Sequence, residues 1–508
     1  MSDARVVIVG SGPAGVSAAW PLVRAGVPVT MLDAADREPA SSPLADSPAA
    51  FRRDPDRWRA QFGPDLAGLG AGGERSPKFA APLGRSVLAG YGEALGLETR
   101  GFFAAGALVR GGLSTIWGAL AAELTDAELA GFPFDAAAIQ PFYDMVRTRI
   151  GAARPTVDGL TSPAARRVLA HLSRGRHDLM VEPAPNAVLG APMDGRQGCI
   201  RCGLCLWGCG RRSIYDSGDE VAVLQRQPGF DYRPGHRVVG LGQDGVLHRL
   251  AIEVGGARRT LRAETVLLAA GTIATAALAL PRLGLAGRPA PLLSSPAAAT
   301  AVVVPGLIGA PLPGESVSLG QLFYRMALPG LETPAAGVLY GADALPLALI
   351  ADRLPLSRPV ALRLARALAP ALVMATAYLP GRFSRNRITV DEGRVLIEGE
   401  QPAEAVAALH GVLRRLTRAL GPAALPLPGA TSVLQPGADA HYAGVLPMGG
   451  EGPFASSDLG ELPGAPGLYV VDGAALSRLP AAHPTFTIMA NATRIGEAVA
   501  NKMMTGGT

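Results

Sequence analysis

The chain's four cysteines stand in one short run, and thiols at this spacing can hold a metal centre. The run is GCIRCGLCLWGCGRRS, with the pattern C-x2-C-x2-C-x3-C. This is the spacing that holds iron–sulfur clusters in small electron carriers. Glycines between the thiols leave backbone N–H groups free to donate hydrogen bonds to the sulfur atoms. The pattern therefore predicts one iron–sulfur cluster, 4Fe-4S rather than 3Fe-4S, with ligands drawn from Cys199, Cys202, Cys205 and Cys209.

The pattern leaves open both the role of the fourth cysteine and the identity of the metal. In two-cluster ferredoxins the fourth cysteine serves the other cluster and precedes a proline. Here Gly210 follows it and the chain has no second run, so either all four thiolates hold one cluster or Cys209 stays free. Zinc is an alternative, although it usually takes two separated pairs of ligands or includes histidine. Structural thiols or disulfides are another, and disulfides require an oxidising compartment.

The N-terminal residues predict a dinucleotide site. Val6–Val9 form a continuous β-branched run, which is typical of a buried parallel strand. The G-x-G-x-x-G motif after it allows a tight turn, close approach of a pyrophosphate, and close packing of a helix on the strand. A second strand, Val29–Leu32, ends at an acidic residue placed to bind a ribose hydroxyl. The candidate cofactor-binding residues are Gly10, Gly12, Pro13, Ala14, Gly15 and Asp33.

Four further segments combine glycine or histidine with a predicted element. ETVLLAAGTIATAALAL is a strand–glycine–helix unit, and RGGLSTIWGA carries two glycines before small residues. HYAGVLPMGG lies upstream of the C-terminal segment GLYVVDGAALSRLPAAHPTFTIMA, which predicts a strand, a turn, a loop and a helix. Their key positions are Gly271 in the first, Gly111 and Gly112 in the second, His441 in the third, and Leu468–Val471, Asp472, Gly473 and His483 in the fourth.

The order of these motifs resembles that of the glucose–methanol–choline (GMC) oxidoreductases, which are FAD-dependent alcohol oxidases and dehydrogenases. GSGPAG with Asp33 is similar to the family's FAD fingerprint, and RGGLSTIWGA to its second flavin-contacting glycine segment. HYAGVLPMG is similar to its H-x-x-G-x-x-x-M-G element, and VVDGAALSRLPAAHPTFTIMA to its closing element. The resemblance extends from residue 5 to about residue 500, while 290–430 match nothing specific. It adds to the expected FAD site Gly111, Gly112, Ser114, Gly271, Asp472, Gly473, Pro484 and Thr485.

The resemblance also implies two catalytic residues. In this family an imidazole of the H-x-x-G element and a second His or Asn before Pro-Thr flank the reactive edge of the flavin; by position these are His441 and His483. A histidine can remove the hydroxyl proton of an alcohol, while a second group hydrogen-bonds the developing alkoxide. We predict His441 as the base and His483 as the alkoxide partner, or the reverse. The chain departs from the family where Tyr442 and Val445 replace Pro and Thr, and where His483 replaces Asn.

Together the motifs predict an FAD-dependent dehydrogenase that oxidises a CH–OH group of an alcohol or sugar by hydride transfer to the flavin. The cluster would pass the electrons singly to an external acceptor, which would be a quinone, a cytochrome or a redox protein. One alternative is an oxygen-using GMC alcohol oxidase whose cysteines are structural. Another is a flavin-bearing electron-transfer or assembly subunit that has no substrate of its own.

The expected fold is α/β, with a GMC-type, Rossmann-like FAD-binding domain and a second, α+β substrate domain whose sheet is covered by helices. The FAD-binding domain is expected to be discontinuous and to contain the cysteine run as an insertion. The expected ranges are 1–290 and 431–508 for the FAD-binding domain, 195–218 for the insertion, and 291–430 with part of 150–195 for the substrate domain.

Three segments between the motifs have less specific patterns. Residues 36–85 lack a clean period and predict a surface excursion. The apolar stretch 358–383 predicts a helix packed on its own sheet and broken at Pro370; the alternatives are a surface that rests on a membrane or admits an apolar substrate. The segment 131–151 predicts a loop and then an amphipathic helix, whose inward residues are Ile139, Tyr143, Val146 and Ile150.

The composition limits the class of protein. Hydrophobic residues make up 48% of the chain and charged residues 18%, which is typical of a globular protein. A net charge of +5 over 508 residues, without a long basic run, argues against a nucleic-acid partner. No apolar stretch is long enough to predict a spanning helix, although peripheral membrane contact stays open. The chain enters its first strand within five residues, so we expect no signal peptide and a cytoplasmic or membrane-associated location.

Overall fold

The computed structural model describes residues 4–69, 76–152, 161–174 and 178–506, and their strands form three sheets. In chain order the strands are β1 (Ala4–Val9), β2 (Val29–Leu32), β3 (Leu97–Arg100), β4 (Leu179–Pro183), β5 (Phe230–Arg233), β6 (Arg237–Asp244), β7 (Leu247–Val254), β8 (Ala257–Leu268), β9 (Ala290–Pro291), β10 (Ala297–Val303), β11 (Leu322–Met326), β12 (Ala335–Gly341), β13 (Leu372–Tyr378), β14 (Arg387–Asp391), β15 (Arg394–Glu398), β16 (Leu425–Pro426), β17 (Ser432–Val433) and β18 (Leu468–Val470).

Helices connect and cover these strands. The α-helices are α1 (Pro13–Arg24), α2 (Pro48–Arg53), α3 (Arg57–Phe62), α4 (Pro82–Leu88), α5 (Tyr91–Ala94), α6 (Asp126–Leu129), α7 (Ala136–Ile150), α8 (Pro163–Leu172), α9 (Ser217–Leu224), α10 (Thr272–Arg282), α11 (Leu347–Ala351), α12 (Arg358–Leu368), α13 (Ala403–Leu420) and α14 (Thr485–Met504). Short 3₁₀ helices lie at Ala67–Leu69, Pro77–Phe79, Gly112–Ile116, Cys205–Trp207, Pro305–Leu307, Gly381–Phe383, Gly421–Ala423 and Gly473–Ala475.

The first sheet joins the two ends of the chain. Its order is β5-β2-β1-β8-β7-β6, and β18 also pairs with β8. The pairs β1–β2, β1–β8, β2–β5 and β8–β18 are parallel, so the carboxyl ends of these strands meet at one edge. Val6 to Val9 are buried because helices cover this part of the sheet. Helix α1 also packs closely on α14, since a Cβ at Gly496 would lie only 2.4 Å from the Ala18 carbonyl oxygen.

The second sheet has its own apolar core. Its order is β16-β10-β13-β12-β11-β4, with β17 also paired to β10, and its neighbouring strands are antiparallel. Helix α13 presents Leu409, Val412 and Leu416 to this sheet, and α8 adds Val168 to the same buried cluster. A third, four-stranded sheet has the order β3-β15-β14-β9.

Of two predictions for the middle of the chain, the one for helix α7 is confirmed and the one for the segment 358–383 is confirmed only in part. Helix α7 buries Ile139, Tyr143, Val146 and Ile150, the four residues that the sequence pattern turns inward. The segment 358–383 was expected to be a helix broken at Pro370. Helix α12 does end before that proline, but the residues after it form strand β13, which was not predicted. The change follows Pro370, which cannot continue a helix, and β13 then alternates buried and half-buried residues as a sheet strand does.

The described part of the segment 36–85 lies mostly at the surface, as expected, but it also packs inward at one place. Helix α2 buries Phe51, which packs with Ala81 against Leu204 and Trp207 of the cysteine segment. A local pattern could not show this, because the partners lie more than a hundred residues away along the chain. Residues 70–75 of this segment lie outside the described residues. In the part of the chain that the structure describes, no helix is both long and apolar enough to cross a membrane.

Candidate active site

One cavity of about 510 Å³ connects the N-terminal glycine turn with both candidate catalytic histidines. It begins at the carboxyl ends of β1 and β2, where Asp33 lies, and extends past the 3₁₀ helix Gly112–Ile116 to His441 and His483. Most of the predicted cofactor-binding residues line this cavity. They are Gly10, Gly12, Pro13, Ala14, Asp33, Gly112, Ser114, Gly271, Asp472, Gly473, Pro484 and Thr485.

The glycine turn has the geometry that a bound pyrophosphate requires. A Cβ built on Gly12 would meet no atom within 4 Å, so this position faces open space in the cavity. A Cβ on Gly15 would lie 2.0 Å from the Gly10 carbonyl oxygen, so Gly15 does not line the cavity and instead lets α1 pack on the turn. The N-terminus of α1 therefore offers backbone N–H groups to an anion. These residues fit the phosphates of FAD.

Asp33 lines this cavity at the carboxyl end of β2. Its carboxylate accepts hydrogen bonds from the Ala35 N–H at 3.1 Å and the Tyr232 hydroxyl at 3.1 Å. Burial raises the pKa of Asp33, and hydrogen bonds from Ser11, Ala35 and Tyr232 oppose that rise. The position and the acceptor atoms agree with the predicted contact to a ribose hydroxyl.

The second glycine segment supports the cavity wall from behind. Gly111 does not line the cavity; its φ is +87°, and a Cβ there would lie 2.2 Å from Asp216 Oδ1. Ser114 donates to the Gly111 carbonyl oxygen at 2.6 Å and lies 3.0 Å from the Ser217 hydroxyl. Burial raises the pKa of Asp216 to about 6. This hydrogen-bonded group fixes the wall, so Gly111 positions the segment through its backbone.

Asp472 holds the C-terminal part of the wall together. Its Oδ2 accepts from the Gly271 N–H at 2.9 Å and from the Thr275 hydroxyl at 2.5 Å, and its Oδ1 accepts from the Ala474 N–H. Burial raises the pKa of Asp472 to about 6. The carboxylate thus connects the start of α10 to the turn after β18. Its oxygens already serve the protein, so Asp472 shapes the site that Gly271 and Gly473 line.

The two candidate catalytic imidazoles lie side by side. The ring centroids of His441 and His483 are 4.5 Å apart, although the residues are 42 positions apart in the sequence. His483 is buried, and its Nε2 has no hydrogen-bond partner among the described residues. Burial lowers the pKa of His483 well below its usual value, and the nearby charges of His441 and Lys78 lower it further. His483 is therefore a neutral imidazole at neutral pH.

Asp439 contacts the first of these histidines and was not predicted. Its Oδ2 lies 3.5 Å from His441 Nδ1 and accepts a hydrogen bond from the Ser295 N–H at 2.9 Å. Its Oδ1 is buried and has no hydrogen-bond partner among the described residues. A carboxylate beside Nδ1 orients the ring, and Nε2 can then accept a proton or a hydrogen bond from another group. The sequence offers only a weak signal for it, an aspartate two residues before His441.

Tyr378 and Lys78 complete the surroundings of the imidazole pair, and sequence reasoning missed both. The Tyr378 ring lies 5.1 Å from that of His483, edge-on, and 6.0 Å from that of His441. Burial raises the pKa of Tyr378 to about 12. Lys78 lines the same cavity. No motif marks either residue, because β13 and the 3₁₀ helix Pro77–Phe79 reach the site only through the tertiary fold.

The four cysteines line one small cavity of about 20 Å³, which has room for about one water molecule. Backbone groups hydrogen-bond to three of the sulfurs: the Arg201 N–H donates to Cys199 at 3.4 Å, and Leu204 and Ser318 contact Cys202 and Cys205. Burial raises the pKa of each of these three thiols.

Four thiols that line one cavity are a chemically suitable donor set for a cluster. Among the residues that the structure describes, no group of three or more His, Cys, Asp or Glu side chains is placed to hold a metal ion. The predicted iron–sulfur ligands Cys199, Cys202, Cys205 and Cys209 stay a prediction.

Comparisons with known proteins agree with this description. A family model described as an FAD binding domain matches residues 3–43. A search of curated proteins finds no significant match. The structure of pyridoxine 4-oxidase from Mesorbium loti is similar with a TM-score of 0.64 and 14% identity, over 98% of this chain and 99% of that one. That of a fungal aryl-alcohol oxidase is similar with a TM-score of 0.58 and 14% identity, over 99% and 100%.

Both likenesses extend over nearly the whole of each chain, so they apply to both large sheets as well as to the glycine turn. At this level of identity they establish the fold. The expected fold class is confirmed: the chain has the glucose–methanol–choline oxidoreductase fold.

Proposed function

We propose that the protein is an FAD-dependent oxidoreductase that oxidises the CH–OH group of an alcohol. The observation that carries the proposal is the pair of imidazoles, 4.5 Å apart, at one end of a cavity that begins at a G-x-G-x-x-G turn. The residues of that turn would hold the pyrophosphate, and Asp33 the ribose. FAD, when bound, would supply the acceptor for the hydride of the alcohol carbon.

His441 and His483 are proposed to divide the work on the hydroxyl group. His441 is held by Asp439 at Nδ1, so its Nε2 can take the hydroxyl proton, and the carboxylate stabilises the imidazolium that results. His483 is neutral because burial lowers its pKa, so it adds no second positive charge. Its unpartnered Nε2 can hydrogen-bond the substrate oxygen. The reverse assignment of the two roles is the competing version.

Anaerobic mixing of the flavin-loaded protein with a panel of alcohols and sugars tests the proposal. We expect bleaching of the flavin by at least one alcohol, and a loss of about 10²- to 10⁴-fold in the reduction rate for His441→Ala. His483→Ala should lose less than His441→Ala if His441 is the base. Unchanged flavin reduction in His441→Ala would contradict the role proposed for His441. No bleaching of the wild type by any alcohol or sugar would contradict the proposal and favour an electron-transfer subunit without its own substrate.

For the acceptor, we propose dioxygen. The support is that both similar structures are of proteins named oxidases. The cysteines are then structural: Leu204 and Trp207, within their run, pack against Phe51. Turnover in air should release one hydrogen peroxide per alcohol oxidised. Turnover that needs an artificial dye, with no peroxide formed, would contradict this choice of acceptor.

A second candidate is an external electron acceptor reached through an iron–sulfur cluster. The observation that favours it is that all four cysteines line one cavity and that three of them receive backbone hydrogen bonds. Such a cluster, when bound, would supply one-electron transfer. Iron, sulfide and flavin are to be quantified in protein produced without oxygen. Four or three irons per flavin would support this candidate, and flavin without iron would exclude it.

A further inference from the structure

A second cavity, of about 540 Å³, borders the first. The two cavities share several wall residues, among them Lys78, Ile116 and Trp117. The outer wall of the second cavity is formed by the segment from Glu38 to Leu44 and by the cysteine run. A substrate that occupies both cavities would therefore pass Lys78 and present its reacting carbon to the histidines.

Lys78 differs from the other cations on the wall of the second cavity. Arg110 lies 3.9 Å from Glu38, and Arg212 pairs with Asp219. Lys78 has no ion-pair partner among the described residues; its ammonium group lies only near a neighbouring ring, 5.2 Å from the centroid of Phe79. Lys78 is thus a cation on the shared wall of the two cavities, and no acidic side chain among the described residues pairs with it.

The surroundings of Lys78 still leave it charged. Burial lowers its pKa to about 8, so the amine is mostly protonated at pH 7. Its charge is close enough to lower the pKa of His483. A partly desolvated ammonium is stabilised by an anion that enters the cavity, and a charge-assisted hydrogen bond is stronger than a neutral one.

Resting on the function proposed above, we propose that Lys78 binds an anionic group of the substrate, a carboxylate or a phosphate. The enzyme then selects alcohols that carry a negative charge a short distance from the oxidised carbon. The anionic group lies at the junction of the two cavities, and the CH–OH group lies at His441 and His483.

Matched substrates and variants test this inference. In anaerobic flavin reduction, 4-(hydroxymethyl)benzoate is compared with 4-(hydroxymethyl)benzamide, and glycerol 3-phosphate with glycerol. We expect the anionic member of at least one pair to have an apparent Kd lower by about tenfold or more in the wild type. Lys78→Met should remove that difference, and Lys78→Arg should keep most of it. Lys502→Met is the matched control, because Lys502 is the chain's other lysine and lies exposed on α14.

A second measurement does not depend on turnover. Benzoate has no CH–OH group, and its titration is followed by the change in flavin absorbance. We expect a saturable change in the wild type and in Lys502→Met, and at least tenfold weaker binding in Lys78→Met. The inference is overturned if benzoate binds the wild type and Lys78→Met equally tightly. It is also overturned if Lys78→Met changes the apparent Kd of anionic and neutral alcohols alike. If no alcohol reduces the flavin but benzoate still discriminates, the proposed oxidation fails while the anion site stands.

Discussion

At the scale of the residue, the sequence identified the candidate catalytic imidazoles better than it identified the groups that contact them. His441 and His483 were predicted from motifs, and the structure brings their rings to 4.5 Å. Asp439 and Tyr378 were missed because only tertiary contacts, and no motif, bring them to the two histidines. An aspartate two residues from a histidine is common in any sequence; only the fold shows that its Oδ2 faces Nδ1.

Asp439→Asn is expected to separate orientation from binding. The amide keeps the size of the side chain but removes the charge beside His441, so the imidazolium formed during proton transfer loses its partner. We expect kcat for alcohol oxidation to fall roughly tenfold or more, with a smaller change in KM. Asp439→Glu should restore part of the loss, since it returns a carboxylate.

The Asp439 variants also distinguish a positioning role from a purely structural one. A purely structural residue would lower the melting temperature of the asparagine variant and leave kcat of the folded fraction unchanged. Flavin content and thermal unfolding of both variants are therefore to be measured beside the steady-state kinetics. An unchanged kcat in folded, flavin-loaded Asp439→Asn would refute the positioning role.

At the scale of the element, local patterns predicted the parts that obey a local rule. The β1–turn–α1–β2 unit was predicted because each glycine has its own steric reason. Helix α7 was predicted from its period alone. The break at Pro370 was predicted, but strand β13 after it was not, because an apolar run that is helical and one that is a buried strand have similar composition. The α2 contact with the cysteine run depends on tertiary packing and leaves no local signal.

Two alanine substitutions in the G-x-G-x-x-G motif should affect different properties, one the stability of the protein and the other its affinity for FAD. Gly15→Ala puts a Cβ 2.0 Å from the Gly10 carbonyl oxygen, so α1 must shift away from β1. We expect it to lower the free energy of unfolding by about 1–3 kcal/mol. Gly12→Ala meets no protein atom within 4 Å, so it should fold normally and weaken FAD binding instead.

Thermal unfolding of the apoproteins and FAD titration by fluorescence measure the two effects separately. The wild-type chain supplies the reference for both. If Gly12→Ala binds FAD as tightly as the wild type, the pyrophosphate does not lie against this turn. If Gly15→Ala is as stable as the wild type, the contact between turn and helix is looser than the structure indicates.

At the scale of the whole molecule, one cavity draws its walls from nearly the full length of the chain. Its lining begins at Val9 on β1 and ends at Ile488 on α14, with the third sheet contributing Val390 and Val395. The expected fold class could be predicted because the motifs at both ends belong to one pattern. The second cavity could not, since its walls combine the cysteine run and the second glycine segment with Glu38–Leu44, and only the tertiary fold brings these together.

Because the first cavity, the candidate FAD site, is lined by residues from both ends of the chain, removal of FAD should destabilise the molecule as a unit. A ligand that binds only the folded state stabilises it by mass action, by about 2.7 kcal/mol at a concentration one hundred times its Kd. We therefore expect the melting temperature of the apoprotein to rise with added FAD. ADP, which reaches only the glycine turn and the Asp33 end, should give part of that rise, and riboflavin less than ADP. His441→Ala should respond to FAD as the wild type does, because its ring lies at the reacting end. A melting temperature that FAD leaves unchanged would contradict the assignment of the cavity to this cofactor.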